Sequence, residues 1–390
     1  MRIVDVCAFY TPAGGGVKTY VERKLQAGPA AGHEVVILAP GREDSMTEVA
    51  PGAIVATIAG PEFPLDRNYR YFDDEERLHA ALDRWRPDLV EVASPWTSAT
   101  MVGNWRGGAP RSLIMHADPL SAYAYRWFEP LFKRETIDRQ FDWYWRHLRR
   151  ANGRFDHVIS ASNDLTLRLR AGGVSKATTV PMGVQPGIFS PSLRDEALRA
   201  EMLAGCGLPP EATLLVGLGR MAPEKRWPMV CDAVLAAGAS HPIGLVLLGG
   251  GRDRSRVIRA TGGSPHITVA PAIGDRGQLA RVLASADALI HGCEAETFCM
   301  VAAEGAASGL PLILPDRGGA ADHFIPGSGA RYAACDVRDL SRQLGAFLED
   351  SPADHRRRAT ARAAGVRTMD AHFADLFALY GDRSEARVAA

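Results

Sequence analysis

Residues 1–40 of the chain read MRIVDVCAFYTPAGGGVKTYVERKLQAGPAAGHEVVILAP. Residues 3–9 have the apolar character of a buried strand, and residues 34–40 repeat it. Between them lie three glycines, Gly14 to Gly16, and a helical pattern from Val17 onward. A strand, a glycine turn, a helix and a second strand form a βαβ unit, which predicts an α/β fold with a parallel sheet.

The same alternation continues along the chain and then starts afresh. Further strands are predicted at residues 88–93, 112–116 and 157–161. Loop-like text rich in Gly, Pro and Ser follows at residues 185–195, after which predicted strands recur, the first two at residues 213–218 and 243–248. We therefore expect two Rossmann-like, doubly wound domains that face each other across a cleft, and ligands bind beyond the carboxyl ends of such strands.

Composition excludes several classes of protein. The 45 Lys and Arg residues equal the 45 Asp and Glu residues, so no overall field attracts nucleic acid, and none is expected as a partner. The six cysteines show no CxxC pair and no zinc-type spacing, which is typical of reduced thiols in a cytoplasmic protein. The N-terminus lacks the apolar core of a signal peptide, and no stretch reaches the length of a membrane span.

The most specific motif is ETFCMVAAE, residues 296–304, in which two glutamates stand eight positions apart. If a helix starts near Thr297, Glu296 lies at its mouth and Glu304 about two turns further along. The amides of Phe298, Cys299 and Met300 would then be free to bind a phosphate. The alternative is an acidic residue that merely favours the helix dipole, with an exposed glutamate beyond it.

This motif resembles the Glu-x7-Glu element of the retaining GT-B glycosyltransferases, the family 4-like and group 1 enzymes that include sucrose synthases and lipid mannosyltransferases. The resemblance implies that Glu304 binds the ribose of a nucleotide and that Glu296 contacts the sugar and the reacting centre. Where the family more often has Gly, this chain has Cys299, which narrows the expected sugar pocket. The resemblance covers nearly the whole chain and is loosest between residues 41 and 110.

A second motif, GLGRMAPEK at residues 217–225, resembles the family's Gly-Arg-x4-Lys stretch. Arg220 and Lys225 would clamp the diphosphate of the donor, because fixed cations stabilise the charge on a leaving phosphate without a metal. Taken alone, each of these cations could equally be a solvated surface residue. No Asp-x-Asp cluster is present, so neither a metal nor another cofactor is expected.

Other candidates depend more heavily on the resemblance. Gly15 and Gly16 match a loop that approaches the donor, although such a turn by itself is as often only structural. His116 ends a predicted strand and matches a histidine that contacts the donor sugar, the alternative being a structural imidazole. Gly250 and Ala272 follow two strands of the second half and are expected to line the nucleotide site.

The resemblance also sets the domain boundaries. Residues 1–185 form the acceptor-side domain, residues 186–369 bind the nucleotide sugar, and a terminal helix at about residues 370–390 packs back on the first domain.

Residues 123–150 combine many aromatic side chains with seven Lys or Arg against four Asp or Glu. Two interpretations stay open: peripheral contact with a membrane surface, or a helix whose aromatic face packs into the first domain. The acceptor is expected to be a lipid, a glycan or a small molecule.

The expected reaction is hexosyl transfer from a UDP- or GDP-linked donor by front-face attack with retention, with Glu296, His116, Arg220 and Lys225 at the catalytic centre. The alternatives are a nucleotide-sugar epimerase or hydrolase on the same fold, or a non-catalytic nucleotide-sugar-binding subunit. The sequence does not identify the base, the sugar, the acceptor or the oligomeric state.

Overall fold

The strands of the first half form one twisted sheet. The computed structural model describes residues 1–11, 16–64, 68–129 and 131–388, and within them this sheet has eight strands in the order β3-β4-β2-β1-β5-β6-β7-β8. All neighbours pair in parallel except β3 and β4, which form an antiparallel edge. The strands are β1 (Arg2–Val6), β2 (Glu34–Gly41), β3 (Ser45–Ala50), β4 (Ala53–Ala59), β5 (Leu89–Val92), β6 (Arg111–Met115), β7 (His157–Ser160) and β8 (Ala177–Thr179).

The helices of this half follow the strands in the βαβ manner. The helix Glu75–Trp85 shows how local sequence starts a helix. The side chain of Asp74 accepts a hydrogen bond from the Arg77 amide, and two glutamates in the first turn interact favourably with the helix dipole. The helices are α1 (Gly16–Ala30), α2 (Glu75–Trp85), α3 (Thr97–Asn104), α4 (Arg126–Phe128), α5 (Arg134–Gln140), α6 (Asp142–Arg154) and α7 (Asn163–Ala171), with a π-helix at Leu120–Tyr125.

The second half repeats the architecture with a parallel sheet in the order β11-β10-β9-β12-β13-β14. Its core contains the fully buried Trp227 under the central strands. The strands are β9 (Thr213–Leu218), β10 (Ile243–Leu248), β11 (Ile267–Ala270), β12 (Ala288–Ile290), β13 (Leu312–Pro315) and β14 (Gly329–Tyr332), and the helices are α8 (Glu196–Gly205), α9 (Trp227–Gly238), α10 (Arg254–Ala260), α11 (Arg276–Ser285), α12 (Met300–Ala307), α13 (Val337–Glu349) and α14 (Pro352–Ala363).

The chain divides into two units. The first contains residues 1–119, 127–181 and 370–390, and the second contains residues 120–126 and 182–369. The division after Pro181 lies slightly before the boundary expected after residue 185, and residues 120–126, expected in the first domain, group with the second unit.

The terminal helix α15 (Met369–Val388) belongs to the first unit from Asp370 onward. Its apolar residues recur at helical spacing, and Phe373, Leu376, Phe377 and Tyr380 are all buried. The Tyr380 hydroxyl donates a hydrogen bond of 2.6 Å to Glu91 Oε2 on β5, which ties the helix to the centre of the sheet.

A cluster of buried charges lies at the same place. The Lys24 side chain on α1 is fully buried, and its ammonium donates to Asp5 Oδ2 at 2.7 Å and to Glu91. Burial raises the pKa of Glu91 to about 7, although the charge of Lys24 opposes the rise. Two carboxyl groups therefore share one ammonium inside the first unit.

Candidate active site

Two neighbouring strands of the second unit bring Lys225 and Glu296 together. Strands β9 and β12 are adjacent and parallel, so the loops that follow them leave the sheet at the same edge. Lys225 ends a 3₁₀ turn after β9, and Glu296 lies in the loop after β12. The Lys225 ammonium donates to Glu296 Oε1, and His291 Nε2 lies 3.1 Å from the same oxygen.

These partners keep Glu296 ionised. Burial by itself would raise the pKa of Glu296, but the hydrogen bond with His291 and the charge of Lys225 outweigh burial, so the pKa lies well below its ordinary value. Burial would lower the pKa of Lys225, yet the charge of Glu296 raises it. The pair is a carboxylate and an ammonium at neutral pH.

Helix α12 begins later than the sequence suggested. It starts at Met300 rather than near Thr297, with Cys299 as its N-cap residue in the left-handed region at φ 70°. That conformation costs a non-glycine residue about 1–2 kcal/mol, which explains why glycine suits this position. The first intrahelical bonds run from the amides of Ala302 and Ala303 to the Cys299 carbonyl, so among the described residues the amides of Met300 and Val301 have no backbone acceptor.

The loop after β13, which contains Gly318 and Gly319, packs against the backbone of the segment that contains Glu296. Gly319 donates its amide to the Glu296 carbonyl at 2.7 Å, and a Cβ on Gly319 would lie 2.6 Å from the Phe298 nitrogen. Gly318 has φ 75°, and a Cβ there would meet the Glu294 carbonyl oxygen at 2.2 Å. Both glycines are therefore needed for this close backbone approach.

Glu304 is buried on α12, with only 5% of its side chain exposed. Arg276, the first residue of α11, donates from Nη2 to Glu304 Oε1 at 2.6 Å. Burial raises the pKa of Glu304, and Arg276 opposes that rise. The two glutamates of the motif thus have different cationic partners.

Arg220 points largely into solvent, since 78% of its side chain is exposed. Its backbone is fixed, because the Trp227 indole donates to the Arg220 carbonyl at 3.0 Å. Its guanidinium donates to Glu224 at 3.1 Å, and Glu224 also pairs with Arg126 at 3.4 Å. The backbone of Arg220 is therefore held in place, while its guanidinium remains accessible to a ligand.

The remaining predicted residues are distributed as follows. Gly250 and Ala272 are exposed, in the loops after β10 and β11 of the second unit. Gly16 begins α1 of the first unit, whereas Gly15 lies outside the described residues. His116, also in the first unit, has its ring 4.9 Å from that of Tyr20. Burial, Lys24 and His372 lower the pKa of His116 to about 3, so its imidazole is neutral.

Three side chains near Glu296 have the chemistry of metal ligands. The ligand atoms of His291, Glu296 and Cys299 lie within 4.8 Å of one another. However, Lys225 already neutralises Glu296, and burial holds the pKa of the Cys299 thiol well above its ordinary value. The chemistry of the group therefore fits a lysine-neutralised carboxylate better than a metal site.

Residues 123–150 divide between an inner and an outer face. Tyr144, Trp145 and Leu148 of α6 are buried. The outer face exposes Trp127, Leu131, Phe132 and Trp143, each by more than half of its surface. None of the helices in the described ranges has the length and apolar character needed to cross a bilayer.

Sequence reasoning named Lys225 but missed His291 and Arg276, the other partners of the two glutamates. His291 directly follows β12, and a histidine at the carboxyl end of a parallel strand was a usable signal. Arg276 follows the N-cap Asp275, a few residues after Ala272, which was expected to line the nucleotide site. Neither partner could be assigned to its glutamate before the tertiary contacts were known.

Comparison with known proteins identifies the family of the chain. Residues 14–187 match the model of "Glycosyltransferase Family 4", and residues 201–364 match "Glycosyl transferases group 1". A GDP-mannose-dependent alpha-mannosyltransferase of Mycobacterium tuberculosis (strain CDC 1551 / Oshkosh) is 30% identical over 339 residues, covering 84% of this chain and 82% of the relative.

A longer match extends over 388 residues at 28% identity, to the GDP-mannose-dependent alpha-(1-6)-phosphatidylinositol dimannoside mannosyltransferase of Mycobacterium tuberculosis (strain ATCC 25177 / H37Ra). It covers 98% of this chain and 96% of that protein. The structure of sucrose-phosphate synthase from Thermosynechococcus elongatus superposes with a TM-score of 0.76 at 20% identity, covering 99% of both chains, which confirms the expected GT-B fold. The chain therefore belongs to the family 4-like, group 1 glycosyltransferases of the GT-B type, which transfer sugars from nucleotide-linked donors.

Proposed function

We propose that this protein transfers a hexose from a GDP-linked donor to a lipid or glycan acceptor, with retention of anomeric configuration and without a metal. The observation that carries the proposal is the pair of glutamates of one motif, each ion-paired and largely buried beside the start of α12. The printed names of the relatives favour guanine over uracil as the base and mannose as the first sugar to test.

In the proposed reaction the donor phosphate leaves while the acceptor hydroxyl attacks the same face of the sugar. The bond from the anomeric carbon to the phosphate oxygen breaks, a bond to the acceptor oxygen forms, and the acceptor proton passes to the departing phosphate. Arg220, Lys225 and the free amides at the start of α12 stabilise the growing negative charge. Glu296 orients the sugar, and His116 stays a predicted contact to it.

Donor binding tests the proposal directly. We expect GDP to raise the melting temperature more than UDP or ADP, because a ligand that binds only the native state stabilises it. Arg220→Ala should remove the rise and Glu304→Gln should reduce it, whereas Arg342→Ala, an exposed arginine on α13, should leave it unchanged. No rise with any of the nucleotides would contradict donor binding, whereas a rise without turnover would favour the non-catalytic nucleotide-sugar-binding alternative.

Turnover and stereochemistry need a separate assay. Purified protein with GDP-mannose and a phosphatidylinositol mannoside acceptor should release GDP, and NMR of the product should show an α linkage. Activity should persist in EDTA. A β-linked product, or loss of activity in EDTA that divalent cations restore, would refute the corresponding part of the proposal.

A lipid acceptor is supported by the outer face of residues 127–143. Trp127, Leu131, Phe132 and Trp143 are all exposed, and Trp143 lines an open cavity of about 420 Å³ together with Arg146 and Arg150. Aromatic residues insert at the headgroup level while cations attract anionic lipids. We propose that this face rests on an anionic membrane from which the acceptor is taken.

Vesicle sedimentation tests the membrane contact. Vesicles with anionic phosphatidylinositol should pull down the protein, and neutral phosphatidylcholine vesicles should do so less. Trp143→Ser and Phe132→Ser should weaken the association, while Leu167→Ser, an equally exposed apolar residue on α7, should not. Equal sedimentation of all three variants would remove this face from the proposal.

A further inference from the structure

Arg276 makes two contacts that hold its guanidinium in one place. Its Nη2 donates to Glu304 Oε1 at 2.6 Å, and its Cζ lies 4.9 Å from the centre of the Phe189 ring. Phe189 is itself buried, so it offers a firm surface for the guanidinium. A guanidinium that stacks on a ring through its face and donates a hydrogen bond from its edge has little conformational freedom left.

Arg276 directly follows, in the chain, the loop that is expected to line the nucleotide site. It is the first residue of α11, and its backbone follows the loop after β11 that contains Ala272. The side chain remains 42% exposed, whereas Glu304 is only 5% exposed. The ion pair therefore has a buried end at the carboxylate and an accessible end at the arginine.

The chemistry of the carboxylate depends on this partner. An ionised carboxylate only accepts hydrogen bonds, while a protonated one must donate one and accepts less well. Burial raises the pKa of Glu304, and the charge of Arg276 and its hydrogen bond oppose the rise. Without the arginine, the buried carboxyl would take up a proton more readily near neutral pH.

We propose that Arg276 is a positioning residue that orients Glu304 and keeps it ionised, so that this carboxylate accepts hydrogen bonds from the ribose hydroxyls of the donor nucleotide. This inference rests on the proposed function, because it assumes that a nucleotide occupies the second unit. It adds a residue to which neither the motif nor the relatives assign a role. The occupant of the site is a ribonucleoside diphosphate, recognised through its hydroxyl groups.

The test compares nucleotides that differ only in the ribose. Calorimetric affinities of GDP, UDP and ADP are measured against those of their 2′-deoxy forms for the wild type, Arg276→Met, Arg276→Lys and Glu304→Gln. Arg281→Met is the matched control, because Arg281 lies on the same helix and makes an exposed ion pair of 2.6 Å with Asp195. Melting temperatures without nucleotide verify that each variant is folded.

We expect the wild type to prefer the best-bound nucleotide over its 2′-deoxy form by roughly tenfold or more, the usual value of a hydrogen bond to a charged group. Glu304→Gln and Arg276→Met should both lose most of this preference at pH 6.5. In Arg276→Met the preference should increase when the pH is raised to 8.5, because a higher pH favours the ionised carboxylate, whereas Glu304→Gln should show no such increase. Arg276→Lys should restore part of the preference, and Arg281→Met should keep all of it.

The alternative outcomes are distinct. If Arg276→Met retains the wild-type preference at both pH values, the arginine is only a structural ion pair and the inference is wrong, although nucleotide binding stands. If the wild type binds a nucleotide but does not distinguish its 2′-deoxy form, Glu304 does not read the ribose and the inference also fails. If no nucleotide binds, the inference and the proposed function are both overturned.

Discussion

Replacing Lys24 by methionine should destabilise the first unit strongly. The ammonium is fully buried and is shared by Asp5 and Glu91, which are buried as well. Removing one member of a buried ion pair leaves an uncompensated charge and typically costs about 3–5 kcal/mol. In a unit of 150–250 residues, each kcal/mol of lost stability lowers the melting temperature by about 2–4 °C, so the melting temperature should fall by roughly 6–20 °C.

The loss should depend on pH in a defined direction. The pKa of Glu91 in the folded protein is about 7, above the ordinary pKa of a glutamate. This group therefore contributes most to stability at pH values below its ordinary pKa. The contribution is lost as the pH rises through 7. At pH 6 Glu91 holds a proton and needs Lys24 less. The variant should therefore be closer to the wild type at pH 6 than at pH 8.

Scanning calorimetry at both pH values provides the measurement, because the two units need not unfold in a single transition. The matched control is Lys18→Met on the same helix, whose exposed pair with Glu22 at 3.7 Å should contribute less than about 1 kcal/mol. Adding Glu91→Gln to Lys24→Met should recover part of the loss at pH 8. A loss below about 1 kcal/mol at pH 8, or an equal loss at both pH values, would refute the reasoning.

Three further predictions concern the second unit. Cys299→Gly should change the free energy of unfolding by less than about 1 kcal/mol, because glycine adopts the positive φ without strain and this gain offsets the lost burial of the thiol. The variant should also have a lower KM for the donor, because the sugar pocket becomes wider. An unchanged KM would show that the thiol does not crowd the sugar. Gly319→Ala should weaken donor binding, because its Cβ would collide with the backbone beside Glu296. Gly345→Ala on α13 is the control, because a Cβ there meets nothing within 4 Å, and equal effects of the two variants in a binding titration would contradict this. Lys225→Met should lower the melting temperature more at pH 7 than at pH 3. The pKa of Glu296 is depressed in the folded protein, so its contribution to stability is fully present at pH values above the ordinary pKa of a glutamate and is lost as the pH falls below that pKa; a constant difference would be inconsistent with the pairing.

Strands with continuous apolar runs were predictable from sequence. Strands β9 and β10 begin and end where the pattern placed them, at Thr213–Leu218 and Ile243–Leu248. The antiparallel edge strand β3 was not predicted, because all of its residues are exposed and it carries no apolar pattern. The start of α12 was also misplaced, because Cys299 adopts a left-handed conformation that a non-glycine residue seldom takes and that the local sequence does not predict.

The sequence alone determined the βαβ alternation, the Glu-x7-Glu motif and its family resemblance, because these depend on residues close together in the chain. Only the tertiary structure decided which partners each glutamate has, with His291 and Lys225 at Glu296 and Arg276 at Glu304. It also brought Lys24 between Asp5 and Glu91, with Tyr380 from the far end of the chain. Ionisation depends on burial and on charges a few ångströms away, and those distances are set by the packing of strands and helices that lie far apart in the sequence.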